Sequence, residues 1–320
     1  MKRNRLIILG LLSSVLFFIF SMNIFSNTSV TSAALAAQPQ TPNSIPSNSG
    51  LTESLDTPSY YLIDVKNQNI LLSQNDTVHR PPASTVKLLT GLVAMQTLNE
   101  DDTVTVGNEV LIQDTTLGLK PGDTIKVKDL LTAIYLESAN DAAIALAVKA
   151  KESLPAFIES MNNYAIELGC KDSHFQTPNG LPASDQYTTA QDLAKIAIKF
   201  TQNKTLMDYV RQKEGKVEWT TSNGLKRSIK VYNTNEFLGI YPGVQGLKTG
   251  TTTEAGQCLV TYVSRSDGDL ILVLLGSRNR YKETKGLLDQ GIAALRTRAA
   301  LQSISKNSES LVQSPGFIQP

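Results

Sequence analysis

At 320 residues, with 30 basic against 29 acidic side chains and 41% apolar content, the chain has room for one large domain or two small ones and carries no charge excess. With no block of five like charges, nothing points to nucleic acid as a partner. Two histidines and two cysteines, at His79, His174, Cys170 and Cys258, give no ligand spacing, so metal-dependent chemistry is disfavoured and no cofactor is implied.

In chain order, Lys2, Arg3 and Arg5 precede a near-continuous apolar run over 6–25, the pattern of an export segment. Ala34-Leu35-Ala36 offers a small-residue cleavage site after Ala36, set rather far from the run, and the run is long enough to stay as a membrane anchor. Both readings put the remainder outside the cytoplasm, because the positive charges hold the N-terminus inside. Residues 1–36 are therefore read as signal peptide or anchor. Residues 37–57, rich in Gln, Pro, Ser, Asn and Thr, read as a flexible linker, 58–300 as the folded domain and 301–320 as a polar tail.

Two β-rich runs at 60–65 and 70–73 flank a polar turn and predict a hairpin. Pro81 and Pro82 block any earlier helix, and one is predicted from Ser84, with Val86, Leu89, Leu92, Val93 and Met95 on its apolar face. Pro121-Gly122-Asp123 reads as a turn before a strand at 124–127. Helices follow at 128–137 and 141–151, interrupted at Ser138-Ala139-Asn140, then at 155–168 and 189–202, the last capped by Thr189. Beyond Val217 strands are expected around 247–249, 258–265 and 270–275, with a turn at 266–269, and a final helix at 283–300. Strands, helices, strands, helix in that order predict an α/β (α+β) domain: a mostly antiparallel sheet flanked by helices, with a helical subdomain inserted in the middle. Cys258 in a strand-like run and Cys170 after a helix read as two buried thiols.

Three short motifs carry the chemistry: Ser84-Thr85-Val86-Lys87, Ser138-Ala139-Asn140 and Lys248-Thr249-Gly250. A serine hydroxyl is a weak nucleophile until a base takes its proton. Ser84 and Lys87 lie three apart at a helix start, on one face. A lysine serves as base only with a lowered pKa, which burial beside a second cation supplies, and Lys248 is the candidate cation. Singly, each residue has an ordinary explanation: Ser84 as an N-cap, Asn140 as a junction cap, Lys248 as a solvated strand residue. S-x-x-K also recurs at Ser303–Lys306 without an apolar helix behind it, and Ser-x-Asn recurs at Ser21, Ser160 and Ser277. The inference rests on all three in order in an exported chain.

The stretches Pro81-Pro82-Ala83-Ser84-Thr85-Val86-Lys87-Leu88-Leu89-Thr90, Ser138-Ala139-Asn140-Asp141-Ala142-Ala143, His174-Phe175 through Gly180-Leu181-Pro182, and Tyr241-Pro242-Gly243-Val244 to Gly250 resemble the serine-type D-alanyl-D-alanine carboxypeptidases, the low-molecular-mass penicillin-binding proteins, over about residues 58–297. The resemblance implies a β-lactamase/DD-peptidase-like fold, peptidoglycan stem peptides as substrate and β-lactam antibiotics as inhibitors. It implies Ser84 as acylated nucleophile, Lys87 as its base and Ser138 as proton relay to the leaving D-alanine. It implies Asn140 as a substrate holder, Lys248 and Thr249 at the terminal carboxylate, the amides of Ser84 and Thr251 as oxyanion hole, and Arg280 beside the carboxylate. The chain departs from the family at Gln245, where Asp is usual, and at Ala139, where Gly is common; neither removes a reacting group.

Two rivals remain open in sequence. A β-lactamase needs a carboxylate base for deacylation, and Glu159 with Asn163 matches E-x-x-x-N formally, in a helical run too close to Ser138. A catalytically silent cell-wall-binding protein of the same fold is the other, and the five intact polar residues argue against it. His174 reads as a packing and hydrogen-bonding residue, and Trp219 as structural.

Overall fold

The computed structural model describes residues 59–312. The export segment, the linker and residues 313–320 lie outside the described residues. The folded part opens as predicted with a hairpin, β1 (Ser59–Asp64) and β2 (Asn69–Gln74), whose turn is tied by Asp64 accepting from the amides of Lys66 and Asn67. The chain then leaves the sheet and returns as β7 (Val244–Thr252), β8 (Gly256–Arg265) and β9 (Gly268–Ser277). These strands form a five-stranded antiparallel sheet in the order β2-β1-β9-β8-β7, so the two ends of the domain meet where β1 pairs with β9.

β9 shows why the sheet is central. Leu270, Leu272 and Leu274 pack in the cluster that holds Leu287, Leu288, Ile292 and Leu295 of α7 (Arg280–Val312), while Ile271, Val273 and Leu275 belong to the larger core on the other side. Successive side chains of a strand alternate faces, so a strand covered on both reads as an unbroken apolar run. Each such side chain contributes about 1.5–3 kcal/mol by burial.

The inserted region is the predicted helical subdomain: α1 (Lys87–Ala94), α2 (Val127–Leu136), α3 (Asn140–Lys151), α4 (Leu154–Glu167), α5 (Ala190–Thr201) and α6 (Lys204–Val210). Thr189 caps α5 by accepting from the amide of Asp192, as its spacing predicted. α1 is buried along its whole length, not on one face alone.

Three features differ from expectation. A second antiparallel sheet exists, in the order β3-β4-β5-β6, from β3 (Thr103–Thr105), β4 (Thr124–Lys126), β5 (Glu214–Thr220) and β6 (Lys226–Tyr232). Its β5–β6 hairpin was not foreseen, because only Val217, Trp219, Ile229 and Val231 alternate inward among charged residues. Helix α6 was also unforeseen. α7 continues past Ala300 to Val312, where a polar tail was expected; no Gly or Pro occurs between Ala300 and Pro315, so no breaker stops the helix at 300. Ser303, in the second S-x-x-K match, is an exposed residue on this extension whose hydroxyl donates to the Ala300 carbonyl.

Candidate active site

The Ser84 segment is held by a set of short contacts. After Pro81-Pro82 the chain turns through a short 3-10 segment, Ala83–Val86, into α1. Thr85 Oγ1 donates to the Pro82 carbonyl at 2.6 Å and Thr90 Oγ1 to the Pro178 carbonyl at 2.6 Å. Ser84 is no N-cap: Oγ lies 2.8 Å from Lys87 Nζ and 3.4 Å from the Asn179 carbonyl. Lys87 Nζ also donates to Asn140 Oδ1 at 2.8 Å and to the Asn179 carbonyl at 2.6 Å. Two of its three partners are carbonyl oxygens, which only accept; the third is a hydroxyl, which can donate. A neutral amine therefore fits this site fully, its two N–H groups on the carbonyls and its lone pair on the Ser84 proton.

Lys87 has no exposed surface. Burial first, and the charge of Lys248 second, hold its pKa well below the ordinary lysine value; Asp114 and Asp141 oppose this. Lys248 is buried too, and its pKa is lowered to about 7 by burial and then by Arg280. The ordinary explanations of all three motifs thus fail. Asn140 stands inside the first turn of α3 with its side chain on Lys87, and Lys248 is not solvated.

β7 brings the third motif against the first. A Cβ on Gly250 would lie 2.9 Å from the Ser84 amide nitrogen, so this crossing requires glycine. Gly180, at φ +83°, is required likewise, since a Cβ there would strike the Ala83 carbonyl; it keeps the Asn179 carbonyl turned toward Lys87. Beyond Gly250 a cleft of about 650 Å³ opens, lined by Ser84, Ser138, Thr249, Gly250, Thr251 and Arg280 among others. Ser138 holds φ +66°, and its buried Oγ has no hydrogen-bond partner among the described residues. Its hydroxyl is therefore not bonded to Ser84 or Lys87. Arg280 is anchored by donating to the carbonyls of Gly250 and Cys258, each at 3.0 Å, to Gln257 Oε1 at 3.3 Å and to Thr251 Oγ1.

Several cleft residues escaped the sequence reading. Asn179 lay in a quoted segment without a role, and its contribution is a backbone carbonyl. Thr115 lines the cleft and its carbonyl accepts from the Asn140 amide at 2.8 Å. Its loop is held by Asp141, buried, whose carboxylate accepts from the amides of Leu117, Gly118 and Leu119. Glu137, Thr234, Glu236 and Tyr281 also line the cleft. Glu159, by contrast, is exposed on α4 and not part of it. His174 bonds Asp185, Trp219 packs part-buried on the core, and Cys170 and Cys258 are free and buried, all as expected.

This geometry agrees with the comparisons. Residues 46–279 match the family described as D-alanyl-D-alanine carboxypeptidase. The chain belongs to that family. It is 36% identical over 259 residues to D-alanyl-D-alanine carboxypeptidase DacA of Escherichia coli (strain K12), covering 76% of this chain and 62% of the relative. It is 31% identical over 249 residues to DacF of Bacillus subtilis (strain 168), covering 72% and 61%. The chain thus spans about three fifths of the length of these curated relatives. Among solved structures, the Streptomyces K15 DD-transpeptidase superposes with a TM-score of 0.72 at 28% identity, covering 76% of this chain and all of that one. The β-lactamase/DD-peptidase-like fold expected for this D-alanyl-D-alanine carboxypeptidase family member is the fold observed.

Proposed function

We propose that this protein is a serine D-Ala-D-Ala carboxypeptidase acting on peptidoglycan stem peptides through an acyl-enzyme, and that β-lactams acylate the same serine. The observation that carries this reading is the 2.8 Å contact of Ser84 Oγ with a buried lysine whose environment favours the neutral amine. Ser84 Oγ attacks the carbonyl of the penultimate D-alanine as its proton passes to Lys87. The oxyanion formed lies toward the amides of Ser84 and Thr251. The C–N bond then breaks, and the proton passes from Lys87 to the departing D-alanine amine through Ser138, a cleft-lining residue whose buried hydroxyl has no other partner among the described residues. Water attacks the ester and frees Ser84. Lys248, Thr249 and Arg280 receive the terminal carboxylate, and Arg280 also donates to Thr251 Oγ1. Asn140 acts first on Lys87 through Oδ1, which leaves its amide group for the peptide backbone.

The chain is read as exported by its first 36 residues, cleaved or retained as anchor, with 37–57 as linker and the catalytic domain from 58. N-terminal sequencing of mature protein separates cleavage from anchoring. The activity is tested by D-alanine release from a peptide ending in D-Ala-D-Ala, together with intact-mass detection of one penicillin adduct on the Ser84 peptide. No release and no adduct would refute it.

A further inference from the structure

Between β6 and β7 the chain passes the cleft at Thr234, a residue that no catalytic motif includes. Its amide donates to the carbonyl of Leu136, the last residue of α2, at 2.9 Å, which fixes the loop to the element that leads into Glu137 and Ser138. Its carbonyl accepts from the Tyr281 hydroxyl at 2.9 Å, next to Arg280. Its hydroxyl lies 2.7 Å from the hydroxyl of Thr249. The neighbours hold the loop on their own: Asn233 Nδ2 donates to the Gln212 carbonyl at 2.8 Å and Asn233 Oδ1 accepts from the Asn235 amide at 2.8 Å. The Thr234 hydroxyl is thus not needed to shape its own loop.

Two hydroxyls in contact share one of their two protons. Whichever donates, one O–H of the pair is left over, and both residues line the cleft where Arg280 supplies positive charge. The acceptor best matched to a leftover O–H beside that cation is an anion. We propose that Thr234 is a specificity-determining positioning residue: paired with Thr249, it orients an O–H donor that selects substrates with a free terminal carboxylate. This rests on the carboxypeptidase reading. Without Thr234 Oγ1 the Thr249 hydroxyl loses the partner that fixes its direction.

The test compares a peptide ending in D-Ala-D-Ala with the same peptide ending in the terminal amide, on wild type, Thr234→Val and Thr234→Ser. Valine keeps the shape and removes the hydroxyl; serine keeps the hydroxyl. The expected result is a fall of about ten-fold in kcat/KM for the acid in Thr234→Val, carried by KM, with less than about two-fold change for the amide, and recovery in Thr234→Ser. An equal loss on both peptides, or no loss, would overturn the proposal. If wild type releases no D-alanine, the carboxypeptidase reading fails; the acid-selectivity of the pair is then read from the rate of Ser84 acylation by benzylpenicillin against its methyl ester, with the same two outcomes.

Discussion

The two walls of the cleft are built on opposite plans. On the helical wall every polar atom of the Ser84–Lys87 pair is engaged: Lys87 has three partners within 2.8 Å, two of them carbonyl oxygens that hold the amine in place. On the sheet wall two donors are sparsely used, Lys248 and the Thr234–Thr249 pair. The only hydrogen bond the described residues give the Lys248 ammonium is to its neighbour's carbonyl at 3.2 Å, and Arg280 and the Thr234–Thr249 pair crowd the same edge. A closed network suits a group that must move one proton along one line. Sparsely used donors suit a site waiting for an anion. At the cleft the two walls meet where Gly250 passes Ser84 and where Thr234 bonds the end of α2, and each wall has its own substitutions by which to test it.

The largest effect belongs to the closed wall. Ser84→Ala is expected to abolish the penicillin adduct and lower D-alanine release by about 10⁴-fold or more. Lys87→Arg puts a guanidinium where a neutral amine sits; it stays protonated and cannot take the serine proton, so acylation falls by about 10²–10⁴-fold. Stopped-flow acylation with a fluorescent penicillin reads both. Wild-type-like acylation by Lys87→Arg would break the assignment of the base.

On the open wall the loss should depend on the ligand. Lys248→Ala removes a charged donor, and kcat/KM for a peptide with a free terminal carboxylate should drop by about 10–100-fold, against a much smaller drop for the terminal amide. Equal losses would mean that Lys248 acts on Lys87 alone and that the division into two walls is wrong.

The pH profile sharpens the same contrast. In the proposed mechanism acylation needs Lys87 neutral, and its pKa is depressed, so the rate is expected to rise with pH on a limb well below the ordinary lysine range. Anion binding needs Lys248 charged, and its pKa is lowered to about 7, so kcat/KM for the acid peptide falls as pH climbs through that value. The amide peptide should keep the rising limb and lose most of the falling one. A profile that is the same for both peptides would place the two titrations in one group.

These plans were unequally legible in sequence. Ser84 and Lys87 are three residues apart, and one helical turn settles their contact. Lys248 and Arg280 came from motif order and resemblance, since no local pattern reports a contact across the fold. Asn179 and Thr115 were missed for a physical reason: they act through backbone carbonyls, which every residue type possesses, and Thr234 because its hydroxyl meets Thr249 only across the fold. Asp141, quoted only as part of the second motif, proved to be the clamp of the Thr115 loop because a buried carboxylate can accept several amides at once. The outer sheet hid for another reason, its two longer strands being interleaved with charged residues and carrying few inward ones, while the main sheet announced itself in the unbroken apolar run of β9.

The smallest expected effect decides between hydrolysis of a peptide ester and hydrolysis of a penicilloyl ester. Both begin with the same acylation, so Ser84, Lys87 and the oxyanion amides cannot distinguish them. A departing D-alanine leaves room for water, whereas a penicilloyl group keeps its ring fragment in the cleft and needs a carboxylate to activate water against it. Glu159 matched the formal pattern for such a base, but its side chain is exposed on α4 and does not line the cleft. Glu159→Gln should therefore leave D-alanine release, penicillin acylation and the lifetime of the adduct within about two-fold of wild type, as surface substitutions ordinarily do. The carboxylates that do line the cleft are Glu137 and Glu236. If the penicillin adduct turns over rapidly, Glu137→Gln and Glu236→Gln identify the base. A long-lived adduct in wild type and in all three variants is the expected outcome. Rapid turnover lost in Glu159→Gln would require that α4 move its exposed face into the cleft, against the burial of Phe157, Met161 and Ala165 on the opposite face.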